Sequence, residues 1–162
     1  MKTTVYCIII SLLLVGVSSC STININNLEN KLIKEDSNRI VFSITTTYLP
    51  SKTVWYYTND SIIIYKKNKK NTIKCSYRLD DSPYHEQTCK SLDLEKVEKD
   101  IDNNHGFTLD GDMLTVTQVS GADVVQKTFY IDVSKFVKVS FETDFLNMIK
   151  KDITRFTLWP VL

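Results

Sequence analysis

The chain has 162 residues, of which 43% are hydrophobic and 10% aromatic; this suffices for a folded domain and excludes a disordered or collagen-like chain. Its 20 lysines and arginines balance 19 aspartates and glutamates, and this near-neutral charge argues against a general nucleic-acid-binding protein. Four cysteines in so short a chain make the redox compartment important for its fold.

Residues 1–19 have the pattern of a signal peptide, in which a lysine precedes an apolar stretch too short to span a membrane. Val17 and Ser19 are small enough for the −3 and −1 positions of a cleavage site, so that Cys20 becomes the first mature residue. No later stretch is long and apolar enough for a membrane anchor. We therefore expect a secreted protein.

The same junction permits a second interpretation. Residues 17–20 also fit a bacterial lipoprotein box, in which Cys20 carries lipid. A bacterial surface lipoprotein with an acylated Cys20 is therefore an alternative to a secreted protein.

Strand patterns dominate the middle of the chain. Short stretches rich in β-branched, apolar and aromatic residues predict strands at 39–47, 54–57, 61–65, 91–97, 114–119 and 124–133, and the apolar residues alternate along 39–47 and 114–119. About seven short strands without paired helices favour an all-β antiparallel sandwich, which we place at residues 20–135.

Residues 136–162 form a C-terminal extension with a different pattern. Phe145, Ile149, Ile153 and Phe156 recur at helical spacing. The spacing favours a helix docked on the sandwich over a helix that binds a partner.

Motifs for catalysis are missing from the sequence. It contains no Gly-x-Ser-x-Gly elbow, no Gly-rich phosphate loop and no His-Glu-x-x-His run. The spacing of Cys75, His85, Cys89 and His105 matches no zinc-finger pattern. We therefore expect no enzyme activity, no cofactor and no metal.

Cleavage of the signal peptide would leave an odd number of cysteines, namely Cys20, Cys75 and Cys89. In an oxidising compartment, this predicts one disulfide with a leftover thiol, or a bond between two chains. Local spacing alone would pair Cys75 with Cys89.

Several segments resemble the interleukin-18-binding proteins, the secreted single-immunoglobulin decoys of vertebrates and poxviruses. Their order and spacing carry the resemblance, which covers roughly residues 20–133. The segments are Cys20, Leu49-Pro50, Trp55-Tyr56, Asn59-Asp60-Ser61, the run Cys-Lys-Ser-Leu-Asp-Leu-Glu-Lys-Val at 89–97, and Val124-Val125-Gln126-Lys127.

The resemblance implies an immunoglobulin-like β-sandwich and a function in viral immune evasion. Such a protein would bind and neutralise host interleukin-18, block receptor engagement and dampen interferon-γ induction. An immunoglobulin-like module that binds another immune ligand is the alternative, because some aromatic anchors of the family have no counterpart here.

The resemblance also implies which residues contact the ligand: Trp55, Tyr56, Tyr57, Ile62 and Ile64. In this alignment Trp55 and Tyr57 face outward and Tyr56 lies in the core, because strand side chains alternate. The alternative is that Trp55 is the core tryptophan and Tyr56 faces outward.

Finally, the resemblance implies a disulfide between Cys20 and Cys89. Cys75 would then remain free or link two copies into a homodimer. The sequon Asn59-Asp60-Ser61 predicts a glycan on Asn59.

Overall fold

The computed structural model describes residues 24–36, 39–47, 51–68, 71–106, 108 and 111–159. The predicted signal peptide and Cys20 lie outside these residues, and so does the predicted disulfide between Cys20 and Cys89.

Helices and strands contribute similar lengths of chain. The helices are α1 (Ile25–Glu35), α2 (Ser82–Lys90), α3 (Leu94–Asn104), α4 (Val133–Phe136) and α5 (Asp144–Arg155). The strands are β1 (Ile40–Thr45), β2 (Lys52–Tyr57), β3 (Ser61–Asn68), β4 (Asn71–Arg78), β5 (Asp112–Ser120) and β6 (Asp123–Ile131).

The six strands form one sheet in the order β4-β3-β2-β1-β5-β6, and every pairing is antiparallel. The predicted antiparallel sheet is therefore confirmed, and five of its strands overlap predicted ones. In the described part of the chain, however, helices rather than a second sheet cover the two faces.

The larger core lies on the face covered by α3, α4 and α5. Because side chains alternate along a strand, Phe42, Trp55 and Leu114 point to this face from three neighbouring strands. Helix α5 adds Leu146 and Ile149, both fully buried. The opposite face carries a smaller cluster beneath α1.

The predicted strand at 91–97 is wrong, because this segment leads into helix α3. Asp93 caps the helix: its side chain accepts hydrogen bonds from the backbone N–H groups of Glu95 and Lys96. Val97 and Ile101 then lie one turn apart and are both buried. Leu92 and Leu94 alternate as they would in a strand. Asp93, which lies between them, caps a helix, and the segment after it is therefore helical.

The C-terminal segment contains the expected helix, α5, with Phe145, Ile149 and Ile153 buried in the larger core. Helix α5 therefore packs against the sheet that the predicted sandwich segment forms. Four further elements, α1, α2, α4 and β4, were not predicted. In α2 the buried residues are polar, His85 and Thr88, so this helix lacks an apolar period in the sequence.

Within the described residues, no helix combines the length and the apolar character that crossing a membrane requires.

Candidate functional site

Three of the five predicted ligand contacts point into the core of the protein. Trp55, Ile62 and Ile64 have no exposed surface, because they point into the larger core. Trp55 lies opposite Ile64 across the β2–β3 pair and stacks on Phe42, with 5.4 Å between ring centroids. The prediction that Trp55 faces outward is therefore wrong. In this conformation, these three residues cannot contact a ligand.

Tyr56 points to the opposite face, where it is partly exposed, as the alternative interpretation predicted. The guanidinium of Arg39 lies 4.3 Å from the centre of its ring, a cation–π contact. Tyr57, at the end of β2, points to the face of the larger core, where it is partly buried.

An open cleft of about 670 Å³ lies at this end of the sheet. Four parts of the chain line it: the approach to β1, the β2–β3 turn, one side of α2 and the end of β5. The lining residues are Asp36, Arg39, Ile40, residues 57–60, His85, Glu86, Cys89, Lys90 and residues 118–120. Its volume is in the range of small-molecule and peptide sites. The cleft is therefore the candidate functional site.

Charges of both signs surround the cleft. Arg39 pairs with Asp36 at 3.2 Å, and Lys90 pairs with Glu86 at 2.6 Å. Asp60 adds a further acid at the β2–β3 turn, where the hydroxyl of Ser61 lies 2.9 Å from its carboxylate. Such a rim suits a polar protein surface better than an apolar ligand.

A buried polar network lies below the cleft. Asp152 of α5 has no exposed surface, and its Oδ2 accepts a hydrogen bond from the Tyr57 hydroxyl at 2.5 Å. The same oxygen lies 2.9 Å from His85 Nε2, and His85 Nδ1 lies 3.1 Å from the carbonyl oxygen of Asp81. The network thus ties α2 and β2 to α5.

The network shifts the pKa values of His85 and Tyr57. Burial lowers the pKa of His85, but the hydrogen bond to Asp152 and the carbonyl and charge of Asp81 outweigh burial, so the pKa is raised. Burial, together with the charge and hydrogen bond of Asp152, raises the pKa of Tyr57 well above 10. The arrangement thus favours a charged histidine between two carboxylates and a neutral tyrosine.

Cys89 is the nucleophilic residue of the cleft wall, but it is held as a neutral thiol. Burial and the nearby charge of Asp152 raise its pKa to about 12. Nucleophilic catalysis needs a thiolate, whose fraction is negligible at neutral pH when the pKa is so high. Both nitrogens of His85 are also engaged, so it cannot activate the thiol. Cys89 is therefore not set up to act as a nucleophile at neutral pH.

The described residues contain no group of three or more histidine, cysteine or acidic side chains arranged to hold a metal ion.

Asn59 lies at the mouth of the cleft in the exposed turn between β2 and β3. The turn is held by a hydrogen bond from the backbone N–H of Thr58 to the carbonyl of Ser61, 2.8 Å long. The predicted glycosylation site is therefore accessible to solvent.

Within the described residues, no disulfide joins Cys75 to Cys89, so the pairing that local spacing favoured is not formed. Cys75 lies on β4, whereas Cys89 lies on α2 beside the larger core.

The residues that build the network below the cleft, His85 and Asp152, were not singled out as binding residues by the sequence. One signal was available: Asp152 is a charged residue between Ile149 and Ile153, on the apolar face of a predicted helix. A charge in that position requires a partner. The sequence could not show that the partners come from β2 and α2.

Comparison with known proteins gave no match, whether to a family model, to a curated protein or to a solved structure.

Proposed function

We propose that this protein is a secreted, non-catalytic binding protein that neutralises a host immune ligand, with interleukin-18 as the first candidate. Interleukin-18 is the candidate because of the sequence resemblance to the interleukin-18-binding proteins. Its neutralisation would dampen interferon-γ induction. The observation that carries the binding function is the open cleft of about 670 Å³ with charges of both signs around its rim.

The proposed contact surface is the rim of the cleft rather than the side chains of Trp55, Ile62 and Ile64, which are buried. Arg39, Asp60 and Lys90 are rim residues with charges that a protein ligand can complement. The immunoglobulin-like class implied by the resemblance is not required for this function, since the rim is built from turns and a helix.

Titration of the secreted protein against interleukin-18 and a panel of other cytokines tests the proposal. We expect Lys90→Glu, at the rim, to weaken binding by about tenfold, because it reverses a charge facing the ligand. Lys99→Glu, an exposed position on α3, is the matched control and should change binding less than about twofold. Binding to a different cytokine would reassign the ligand, and binding to none would contradict the proposal.

We also propose that Asn59 carries an N-linked glycan at the cleft mouth, since it belongs to an exposed sequon. Digestion with an N-glycosidase should reduce the apparent mass of the secreted protein but not that of Asn59→Gln. An identical mass before and after digestion would contradict glycosylation.

A further inference from the structure

Strand β4 ends the sheet on one side and carries an unusual row of exposed side chains. Ile73 and Tyr77 are 52% and 44% exposed, although large apolar side chains are normally covered. The free thiol of Cys75 lies between them. All three point to the same face, because they alternate along the strand. An edge strand with exposed apolar residues is a template for pairing with another strand.

The hydrogen-bond pattern shows which backbone groups of β4 face outward. The backbone N–H of Leu79 donates to the carbonyl of Asp60 at 2.8 Å, next to the Ser61–Arg78 pair of the register. Hydrogen-bonded positions alternate in an antiparallel pair, so Cys75 also turns its backbone groups toward β3. Lys74 and Ser76 therefore turn theirs toward the open edge.

A two-fold axis at Cys75 would make this edge complementary to itself. In that antiparallel register, Ile73 of each copy lies opposite Tyr77 of the other, which is a favourable apolar–aromatic pair. On the other face, Lys74 lies opposite Ser76 of the second copy, so no like charges meet. The outward N–H and C=O groups of Lys74 and Ser76 then complete a ladder with the same groups of the second copy.

The other edge strand, β6, carries Lys127 at its centre. An axis through that residue would place two lysines directly opposite each other, which is unfavourable. The axis through Cys75 of β4 places no like charges directly opposite each other.

We propose that β4 pairs with β4 of a second copy of this chain, which extends the sheet across a two-fold axis, and that the two Cys75 side chains form a disulfide. The homodimer goes beyond the proposed ligand binding and does not depend on it. The contact is isologous, because Ile73 of one copy meets Tyr77 of the other and Tyr77 of the first meets Ile73 of the second, as a closed dimer requires.

The geometry suits the disulfide. Cys75 and its counterpart form a non-hydrogen-bonded pair, in which the Cα atoms are about 4.5 Å apart. This distance lies within the range of disulfides. In the reaction, the two thiols lose two protons and two electrons, and glutathione disulfide takes them up to become two molecules of glutathione.

Non-reducing electrophoresis of the full secreted chain, after incubation with glutathione disulfide, tests the proposal. The wild type should form a covalent dimer with a Cys75–Cys75 peptide in mass spectrometry, and Cys75→Ser should not. Ile73→Lys should slow formation of the dimer by at least about fivefold, because two apolar pairs are lost. Val125→Lys, at a 54% exposed position on β6, is the matched control and should dimerise like the wild type.

A second variant distinguishes a loss of dimerisation from a loss of folding. Ser76→Pro removes an N–H that faces the open edge but leaves the hydrogen bonds to β3, so circular dichroism should be unchanged while dimerisation slows. A monomeric wild type, a covalent dimer in Cys75→Ser, or wild-type rates in both Ile73→Lys and Ser76→Pro would each overturn the proposal. Ligand binding is not measured, so this failure is distinct from failure of the proposed function.

Discussion

Trp55 and Tyr56 are neighbours in the sequence, yet one is fully buried and the other is partly exposed. The pleat of the strand decides which residue enters the core, and the register with β1 and β3 decides which face becomes the core. Whether an aromatic residue of β2 is a binding anchor or a core residue therefore depends on the register of the sheet and not on the local sequence alone.

The burial of Trp55 leads to a prediction on stability. Trp55→Ala should lower the free energy of unfolding by about 4 kcal/mol, because it removes a large side chain and leaves a cavity among Phe42 and its neighbours. Urea unfolding followed by circular dichroism measures this. Tyr56→Ala is the control and should cost less than half as much, since Tyr56 is partly exposed. Equal losses would contradict the core assignment.

His85 gives the protein a specific pH dependence. Its folded-state pKa is raised, so its charged interactions with Asp152 and Asp81 stabilise the fold fully below the unfolded value of about 6.5. That stabilisation is lost as the pH rises through the raised pKa. The unfolding free energy of the wild type should therefore fall relative to His85→Gln as the pH rises above about 6.5.

Denaturant unfolding at a series of pH values measures this difference. Tyr57→Phe serves as the comparison: it should cost about 2 kcal/mol, because it removes a hydrogen bond to a buried carboxylate but leaves the histidine in place. Parallel curves for the wild type and His85→Gln would show that His85 does not carry the dependence.

At the scale of elements, α3 and α5 depend on each other through one side chain. Thr143 is the N-cap residue of α5, but its side chain makes no capping hydrogen bond. Asp100 of α3 instead accepts hydrogen bonds from the backbone N–H groups of Glu142 and Thr143, at 3.1 and 2.7 Å. Burial raises the pKa of Asp100, but these donors outweigh it, so the pKa lies below its usual value.

Asp100→Ala should therefore destabilise the protein by about 2 kcal/mol, because two part-buried N–H groups at the start of α5 lose the buried carboxylate that accepts their hydrogen bonds. Thermal or urea unfolding measures the loss. Asp102→Ala, at an exposed position two residues further along α3, should change stability by less than about 0.5 kcal/mol. Similar losses in both variants would contradict the role of Asp100 as a cap.

At the scale of the whole molecule, the sheet separates two cores of unequal size. The larger core unites the sheet with α3, α4 and α5, whereas α1 covers the smaller cluster with Ile25, Leu28 and Leu32. Few apolar contacts hold α1, so its opening requires less free energy than global unfolding.

Hydrogen exchange should show this hierarchy. The amides of α1 should exchange faster than those of α5, and Leu28→Ala should accelerate exchange in α1 while leaving α5 protected. Leu146→Ala, in the larger core, should accelerate exchange throughout the protein, since it weakens global stability. Equal acceleration of both helices by Leu28→Ala would contradict separate opening.

Local sequence patterns determined much of the secondary structure. Alternation predicted the strands β1 and β5, apolar and aromatic runs predicted β2 and β3, and the 3.6-residue period predicted α5, because these patterns follow from burying one side of an element. Where such a pattern was weak or ambiguous, the prediction failed: α2 buries polar residues, and Leu92 and Leu94 alternate around a capping aspartate rather than forming a strand.

Only the tertiary structure decided the layers and the site. A sequence shows that one side of a strand is apolar, but which sheet or helix covers that side depends on contacts between distant residues. The helical cover of Trp55, the meeting of Tyr57 and His85 at Asp152, and the place of Cys75 on an edge strand all arise in this way. The sequence determined which side chains are present, and the packing of its elements determined which of them can reach a partner.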